Sequence, residues 1–450
     1  MTHKALLCRI PLPELPAEDT ECPRPAKRKR SFLGQPTEIT PYMKQPKASK
    51  FFFQHFEANV AKPAWRIQDT ESPKFDKLFI ELGPFHLRCA YFAAVGYFLT
   101  GSGYNEALCM SHILGSGSLA GKQFNRAIRI HPILLCALSE LHIQRFLEDN
   151  CQGKVPSTVQ RMLDVINQEP EKTISYISMT KPLTALTSFL LDYENYCRST
   201  MAGIHGQTAQ FAMIYMEMIK NNLLLDRALR TCDPDLYTYA MGQSLAVFWA
   251  ANRPNYKRWA IKAFLQLVNR DNTHPGISEM LKNGGLSVRR TKKNFCRTAH
   301  DITLEQTANR DAASPQTGIS AFTTNASGRK RWSVTTAARS QVVSILKESV
   351  GMQSRDDIAQ ECKAGRIKTD REAVMAVKET ILNMMNPFFT ELDPNHNYCI
   401  TTGRALDPGI AKQLLHWLPM GKEWMDSFIS ECKTRPARFE ERIKSKKVDG

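Results

Sequence analysis

The chain has 450 residues, of which 42% are hydrophobic, with 60 Lys and Arg against 44 Asp and Glu for a formal net charge of +16. That hydrophobic share sustains a real core and excludes wholesale disorder, and the length leaves room for two or three domains. The positive balance favours polyanionic partners such as nucleic acid, and says nothing about fold.

Residues 1–74 are rich in Pro, Lys and Ser without sustained periodicity, which predicts a disordered basic arm. Its start is broken by prolines and acids before a secretory apolar region could form. Lys27, Arg28, Lys29 and Arg30 stand in a row beside prolines. Such a tetrad suits a nuclear-import signal, because an extended segment presents successive cations to an acidic receptor groove, and the expected location is nuclear. A solvated charge run is the bland alternative.

From Leu78 the texture turns helical, opening a helical core domain expected over 75–350. "FHLRCAYFAAVGYFL" (85–99) is apolar almost all round, as a buried helix is. The next helix follows Ser102, a plausible N-cap. Residues 118–150 read as two helices, the second starting near Pro132. Helices follow at 182–203, ended by Gly203, and at 207–229, with Phe211, Ile214, Tyr215, Met218 and Ile219 on one side. The methionines there fit core packing better than a soft-metal surface. Two more, at 233–251 and 254–270, each open on proline, and a short helix stops at Gly284–Gly285. "LSVRRT" and "NFCRT" flank a Lys pair as a β-hairpin near 286–298, with Val288 and Phe295 facing in. Helices resume at 300–312, 333–349, 371–386 and 408–432. The stretch 351–450 is expected as a small C-terminal helical region broken by a loop at 386–409. The fold class is therefore mainly α, with one small hairpin. No run approaches the roughly 18 apolar residues of a membrane span, so no membrane partner is expected. Twelve scattered cysteines without a C-x-x-C read as reduced intracellular thiols.

The charge is unevenly spread. Residues 251–350 carry 17 Lys and Arg against 6 Asp and Glu. One run holds Arg289, Arg290, Lys292, Lys293 and Arg297, and a second holds Arg329, Lys330 and Arg331 beside Trp332. Cations can neutralise phosphates while Phe295 and Trp332 stack on bases, so DNA or RNA is the expected partner. A solvated cationic surface with core aromatics is the alternative. Between the two runs, Asp301 and Glu305 are four apart and share a helix face, where they could hold a divalent cation. Thr298 and Asp301 equally fit a capping box. "GSGSLAGK" (115–122) lacks the Ser or Thr that must follow the Lys of a phosphate-binding loop. His112, His131, His142 and His274 have no zinc spacing, and no motif implies a cofactor.

Several strings together resemble a multicopy family of mobile-element (transposon)-derived proteins of animal and fungal genomes. They are "ELGPFHL" (81–87), "GSGSLAGKQFNRAIRIHP" (115–132), "GIHGQTAQF" (203–211), "NRPNYKRWA" (252–260), "GGLSVRRTKKNFCRTAHDITLEQTANRDAA" (284–313) and "GISAFTTNASGRKRW" (318–332). Some members resemble a diverged RNase H-like core of the DDE transposase type, which would make the hairpin a remnant of an α/β sheet. The resemblance implies that Glu305, with Asp301 second, is a Mg²⁺ ligand in phosphodiester chemistry. It also implies N-terminal truncation, since the leader passes quickly to residue 78. Among Glu57, Asp69, Glu71, Asp76 and Glu81, none lies on a convincing buried strand, so a full catalytic set is not expected. The leading expectation is a transposon-derived nucleic-acid-binding protein without catalysis. A Mg²⁺-dependent nuclease or transposase and a helical protein-interaction scaffold are the alternatives.

Overall fold

The structure, a computed structural model, describes residues 52–56, 58–113, 119, 123–168, 180–289, 297–304, 319, 323–335, 338, 341–342, 345–346, 349–351, 364–407, 409 and 427. In chain order the elements are β1 (Phe52–Phe56), α1 (Ala58–Thr70), β2 (Leu78–Leu82), α2 (Pro84–Phe98), α3 (Tyr104–Met110), α4 (Phe124–Cys151), α5 (Ser157–Gln168), α6 (Thr180–Met201), α7 (Gln207–Thr231), α8 (Pro234–Ala250) and α9 (Pro254–Val268). Then come α10 (Arg270–Thr273), α11 (Ile277–Met280), a π-turn (Leu281–Gly285), β3 (Ser287–Arg289), β4 (Arg297–Ala299), α12 (His300–Leu304), α13 (Ala326–Val334) and α14 (Ala364–Leu382). The fold is mainly helical, as expected.

The centre is built from helices too apolar to face water. On α8, Tyr237, Ala240, Met241, Leu245, Ala246, Val247 and Phe248 are all buried, and α7 packs along it. The five residues expected on one side of α7 are buried, and Met213, Met216 and Met218 are core side chains. Pro234 and Pro254 occupy first turns, where a missing N–H costs nothing. Asp233 caps α8 by accepting from the Asp235 and Leu236 N–H groups, both at 3.0 Å.

Several expectations are corrected. Pro132 does not start a helix but lies inside the continuous 28-residue α4. Its neighbours Ile133 and Leu134 are buried, so packing holds the helix together across the lost hydrogen bond. The N-cap of α3 is Gly103 at φ 88°, and the Ser102 hydroxyl instead donates back to the Leu99 carbonyl at 2.7 Å. The boundary expected at 351 does not separate two cores. Lys378 and Asp370 of α14 face Glu140 and Arg129 of α4 at 3.1 and 3.5 Å, and Val374, Val377 and Ile381 join the main cluster. The loop after α14 is sewn in as well, by Gln207 N–H to the Pro394 carbonyl and Ile400 N–H to the Ser102 carbonyl, both 2.9 Å.

The largest correction is at the N-terminal side. Residues 52–70, expected within the arm, form β1 and α1, while residues 1–51, with the Lys27–Arg30 tetrad, lie outside the described residues. β1 pairs with β2 in parallel, Phe52 opposite Leu78 through Phe56 opposite Leu82. A parallel pair requires a crossover of a dozen residues or so, and α1 supplies it. Trp65 of α1 is fully buried, stacks on Trp259 of α9 at 5.7 Å and donates its indole N–H to Gln266 at 2.9 Å. Phe79, Ile80, Glu81 and Leu82 are all buried, the near-continuous burial typical of a parallel strand. Glu81 thus does sit on a buried strand, against expectation.

The hairpin forms where expected. β3 and β4 pair antiparallel, with Ser287 opposite Ala299, Val288 opposite Thr298 and Arg289 opposite Arg297. Val288 is half-buried, and Phe295 lies outside the described residues. Ser287 Oγ donates to the Leu229 carbonyl at 2.6 Å, fixing the hairpin base to the end of α7.

Candidate functional site

The carboxylate candidates and the cationic candidates occupy very different surroundings. Asp301, at the start of α12, is buried, and its two oxygens accept backbone N–H groups from the far side of the chain: Phe85 at 3.0 Å and His86 at 3.1 Å. These are orphan donors in the first turn of α2. Pro84 has no N–H, and the N-cap residue is Gly83, which makes no side-chain cap. Asp301 therefore does the work of an N-cap from 216 positions away. Gly83 makes room for it, because a Cβ there would lie 2.3 Å from Asp301 Oδ2. The expected capping role is correct in kind, but the helix capped is α2, not the helix Asp301 starts.

Close by, Glu81 is 1% exposed. Burial, and then the charge of Asp301, push its carboxyl well above the usual carboxylate range. Burial also raises Asp301, against the pull of the His86 and Phe85 N–H groups. The same two acids, after burial itself, raise the Tyr237 hydroxyl. Burial followed by Asp301 pushes the Cys89 thiol up to about 12, with Arg88 pulling the other way. Two carboxyl groups this close in a dry setting do not both ionise readily, and Glu81 is the one held protonated at neutral pH. Sequence reasoning missed both Gly83 and Glu81. A Gly-Pro start without a Ser, Thr, Asp or Asn cap was the available sign that α2 needs a donor partner from elsewhere. Glu305 lies outside the described residues, and among those described no group of three or more His, Cys, Asp or Glu is placed to hold a metal ion.

The hairpin spends part of its charge on structure. The half-buried Arg297 donates through Nη1 to the Ser287 carbonyl at 3.0 Å, across the two strands. His300 bonds the Gly284 carbonyl through Nε2 at 2.8 Å, which ties α12 to the π-turn. The backbone of Arg289 is in β3, and Arg290, Lys292 and Lys293 lie outside the described residues. On α13 the arrangement is different. Arg329, Lys330 and Arg331 are all exposed, and Trp332 beside them is half-buried. The helix is capped by Asn325, whose Oδ1 accepts from Ser327 N–H at 2.8 Å, and it contains no acid. Arg329 Nε also donates to the Thr323 carbonyl at 3.1 Å, fixing the root of that side chain. Successive helix residues turn by about 100°, so the three cations fan around more than half of α13.

A family model described as a domain of unknown function (DUF8702) matches residues 62–448. The chain belongs to the DUF8702 family. The DUF8702 match begins within α1, so one family unit contains Glu81, Gly83, Asp301, the hairpin and α13. No curated protein and no solved structure matches the chain.

Proposed function

We propose that this DUF8702 member is a nuclear, mobile-element-derived protein that binds DNA or RNA through α13 and the β3–β4 hairpin, without catalysis of its own. The observation that carries the reading is the exposed Arg329–Lys330–Arg331 triplet on an acid-free helix next to Trp332. Cations held on a helix displace counterions from a phosphate backbone, and an adjoining aromatic ring can stack on an unpaired base. The hairpin, anchored at its base by Ser287, extends the same charge through Arg289, Arg290, Lys292 and Lys293. Nuclear location rests on the Lys27–Arg30 tetrad. Fluorescence anisotropy of labelled duplex DNA and single-stranded RNA at several salt concentrations tests the reading. Binding that is lost on the combined Arg329→Ala, Lys330→Ala and Arg331→Ala substitution supports it, and binding unchanged by that substitution refutes it.

A catalytic role for Asp301 fits the geometry poorly. Its oxygens already accept two backbone donors, and its acidic neighbour Glu81 is held protonated, which makes Glu81 a weak ligand for Mg²⁺. Among the described residues no helix is long and apolar enough to cross a membrane.

A further inference from the structure

A cavity of about 230 Å³ opens between α2, α4, α7 and α14, lined among others by Arg88, Arg129, Asn222, Asp226, Arg230 and Arg366. Four guanidinium groups thus meet one lining carboxylate among the described residues. A second acid, Asp370, stands next to it, 3.5 Å from Arg129 Nε and 3.2 Å from Arg366 Nε. With both acids ionised, these six groups still hold a charge of +2. The arginines run from floor to mouth: the Arg88 side chain is 8% exposed, Arg230 20%, and Arg129 and Arg366 38% each.

The floor is built rather than incidental. Arg88 donates through Nη1 to Asp226 at 2.8 Å and through Nη2 to Asn222 Oδ1 at 3.1 Å, and its guanidinium lies over the Phe124 ring at 5.3 Å. Asp226 also accepts from Arg230 Nε at 2.7 Å. Burial would push the Asp226 carboxyl up, but Arg88 and Arg230 outweigh it and hold the group below its ordinary value. Two donors on this floor, Arg88 Nε and Asn222 Nδ2, are buried and meet no acceptor. Buried donors without partners are rare because each forfeits its hydration. An excess of positive charge together with unmet donors calls for an anion that accepts several hydrogen bonds at once.

We propose that this cavity binds a small phosphate-type oxyanion. A tetrahedral dianion matches the net charge of +2, and its oxygens suit the parallel donors of arginine forks. The volume lies below the roughly 300–1,000 Å³ of sites for drug-sized ligands, so the occupant is a phosphate with at most a small substituent inside. The phosphate arrives either free or as the end of a nucleic-acid strand. Neither α13 nor the hairpin lines the cavity, so the site does not depend on the nucleic-acid reading.

The test uses the full chain, titrated calorimetrically with inorganic phosphate against chloride at matched ionic strength. A second arm compares a short oligonucleotide carrying a 5′-phosphate with the same strand ending in a 5′-hydroxyl. Saturable binding of inorganic phosphate supports a free anion. A clear preference for the 5′-phosphorylated strand without binding of the free ion supports the strand end. In either case Arg366→Gln and Arg129→Gln, both at the half-exposed mouth, should weaken the interaction roughly tenfold or more, the loss expected for a charge-assisted hydrogen bond. The Arg329→Ala, Lys330→Ala, Arg331→Ala protein should retain the phosphate response. No saturable response to either phosphate source overturns the proposal, as does wild-type affinity in both mouth variants.

Discussion

Gly83→Ala should destabilise the protein through Asp301 rather than through its own backbone. Gly83 sits at φ −57°, ψ 121°, where alanine is at ease. The damage comes from the new Cβ, 2.3 Å from Asp301 Oδ2 and 2.9 Å from its Cγ, which must expel the carboxylate from the start of α2. Two charge-assisted hydrogen bonds are then lost and two first-turn N–H groups are left without acceptors. Such bonds contribute about 1.5–3 kcal/mol each, and loss of an ordinary N-cap costs about 0.5–2 kcal/mol. Relief of the repulsion between Asp301 and Glu81 offsets part of this, so a net loss of about 2–4 kcal/mol is expected. Asp301→Ala should cost a similar amount. In the double variant the Cβ at 83 has no carboxylate to displace, so the combined loss should be close to that of either single change. Urea denaturation of the four proteins measures the coupling directly. Additive losses would refute the long-range cap, as would a Gly83→Ala protein as stable as wild type.

Further predictions follow from the same surroundings. Glu81 has its folded-state pKa raised, so the stability it contributes is fully present below the unfolded value and is lost as pH rises toward the folded one, by about 1.4 kcal/mol per pH unit across that window. Glu81→Gln should therefore flatten the decline of the urea midpoint between pH 5 and pH 8, and an unaltered pH profile would contradict protonated burial. Trp65→Ala should destabilise by about 3–5 kcal/mol, the usual cost of emptying a buried tryptophan site. A loss below about 1 kcal/mol would return residues 52–70 to the status of a loose arm. Thermal unfolding with and without millimolar Mg²⁺ should coincide if Asp301 serves as a cap, whereas a midpoint rising with Mg²⁺ in wild type and not in Asp301→Ala would reinstate a metal role.

What was legible in the sequence was local. The all-round apolar texture of α2 and α8, the prolines opening α8 and α9, and the alternation about the Lys pair each specify an element from neighbouring residues. Gly203 after α6 and the methionines of α7 behaved as their spacing implies. The strand β2 was missed because its partner β1 lies 26 positions upstream, from Phe52 to Leu78. Parallel pairing leaves no turn signature, and a strand buried on both faces shows no alternation. The link from Asp301 to Gly83 is likewise non-local. Within its own segment Asp301 satisfies a capping box, so nothing nearby reveals which helix receives it. Arg88, Arg129, Arg230 and Arg366 come from three helices distant in the chain, and only packing brings their charges to one cavity. Exposure of Arg329, Lys330 and Arg331 was readable, because three successive cations on one short helix cannot all be buried.

The account's central claim is that phosphates are held by the cations of α13 and the hairpin. The most direct measurement is the affinity of the full chain for duplex DNA and single-stranded RNA over a series of salt concentrations. The account predicts a log–log plot that falls steeply with salt. On duplex DNA, neutralising Arg329, Lys330 and Arg331 should make the slope shallower by about 0.9 for each cation that contacts a phosphate. A flat plot, absence of binding at low salt, or a slope indifferent to those substitutions would contradict it.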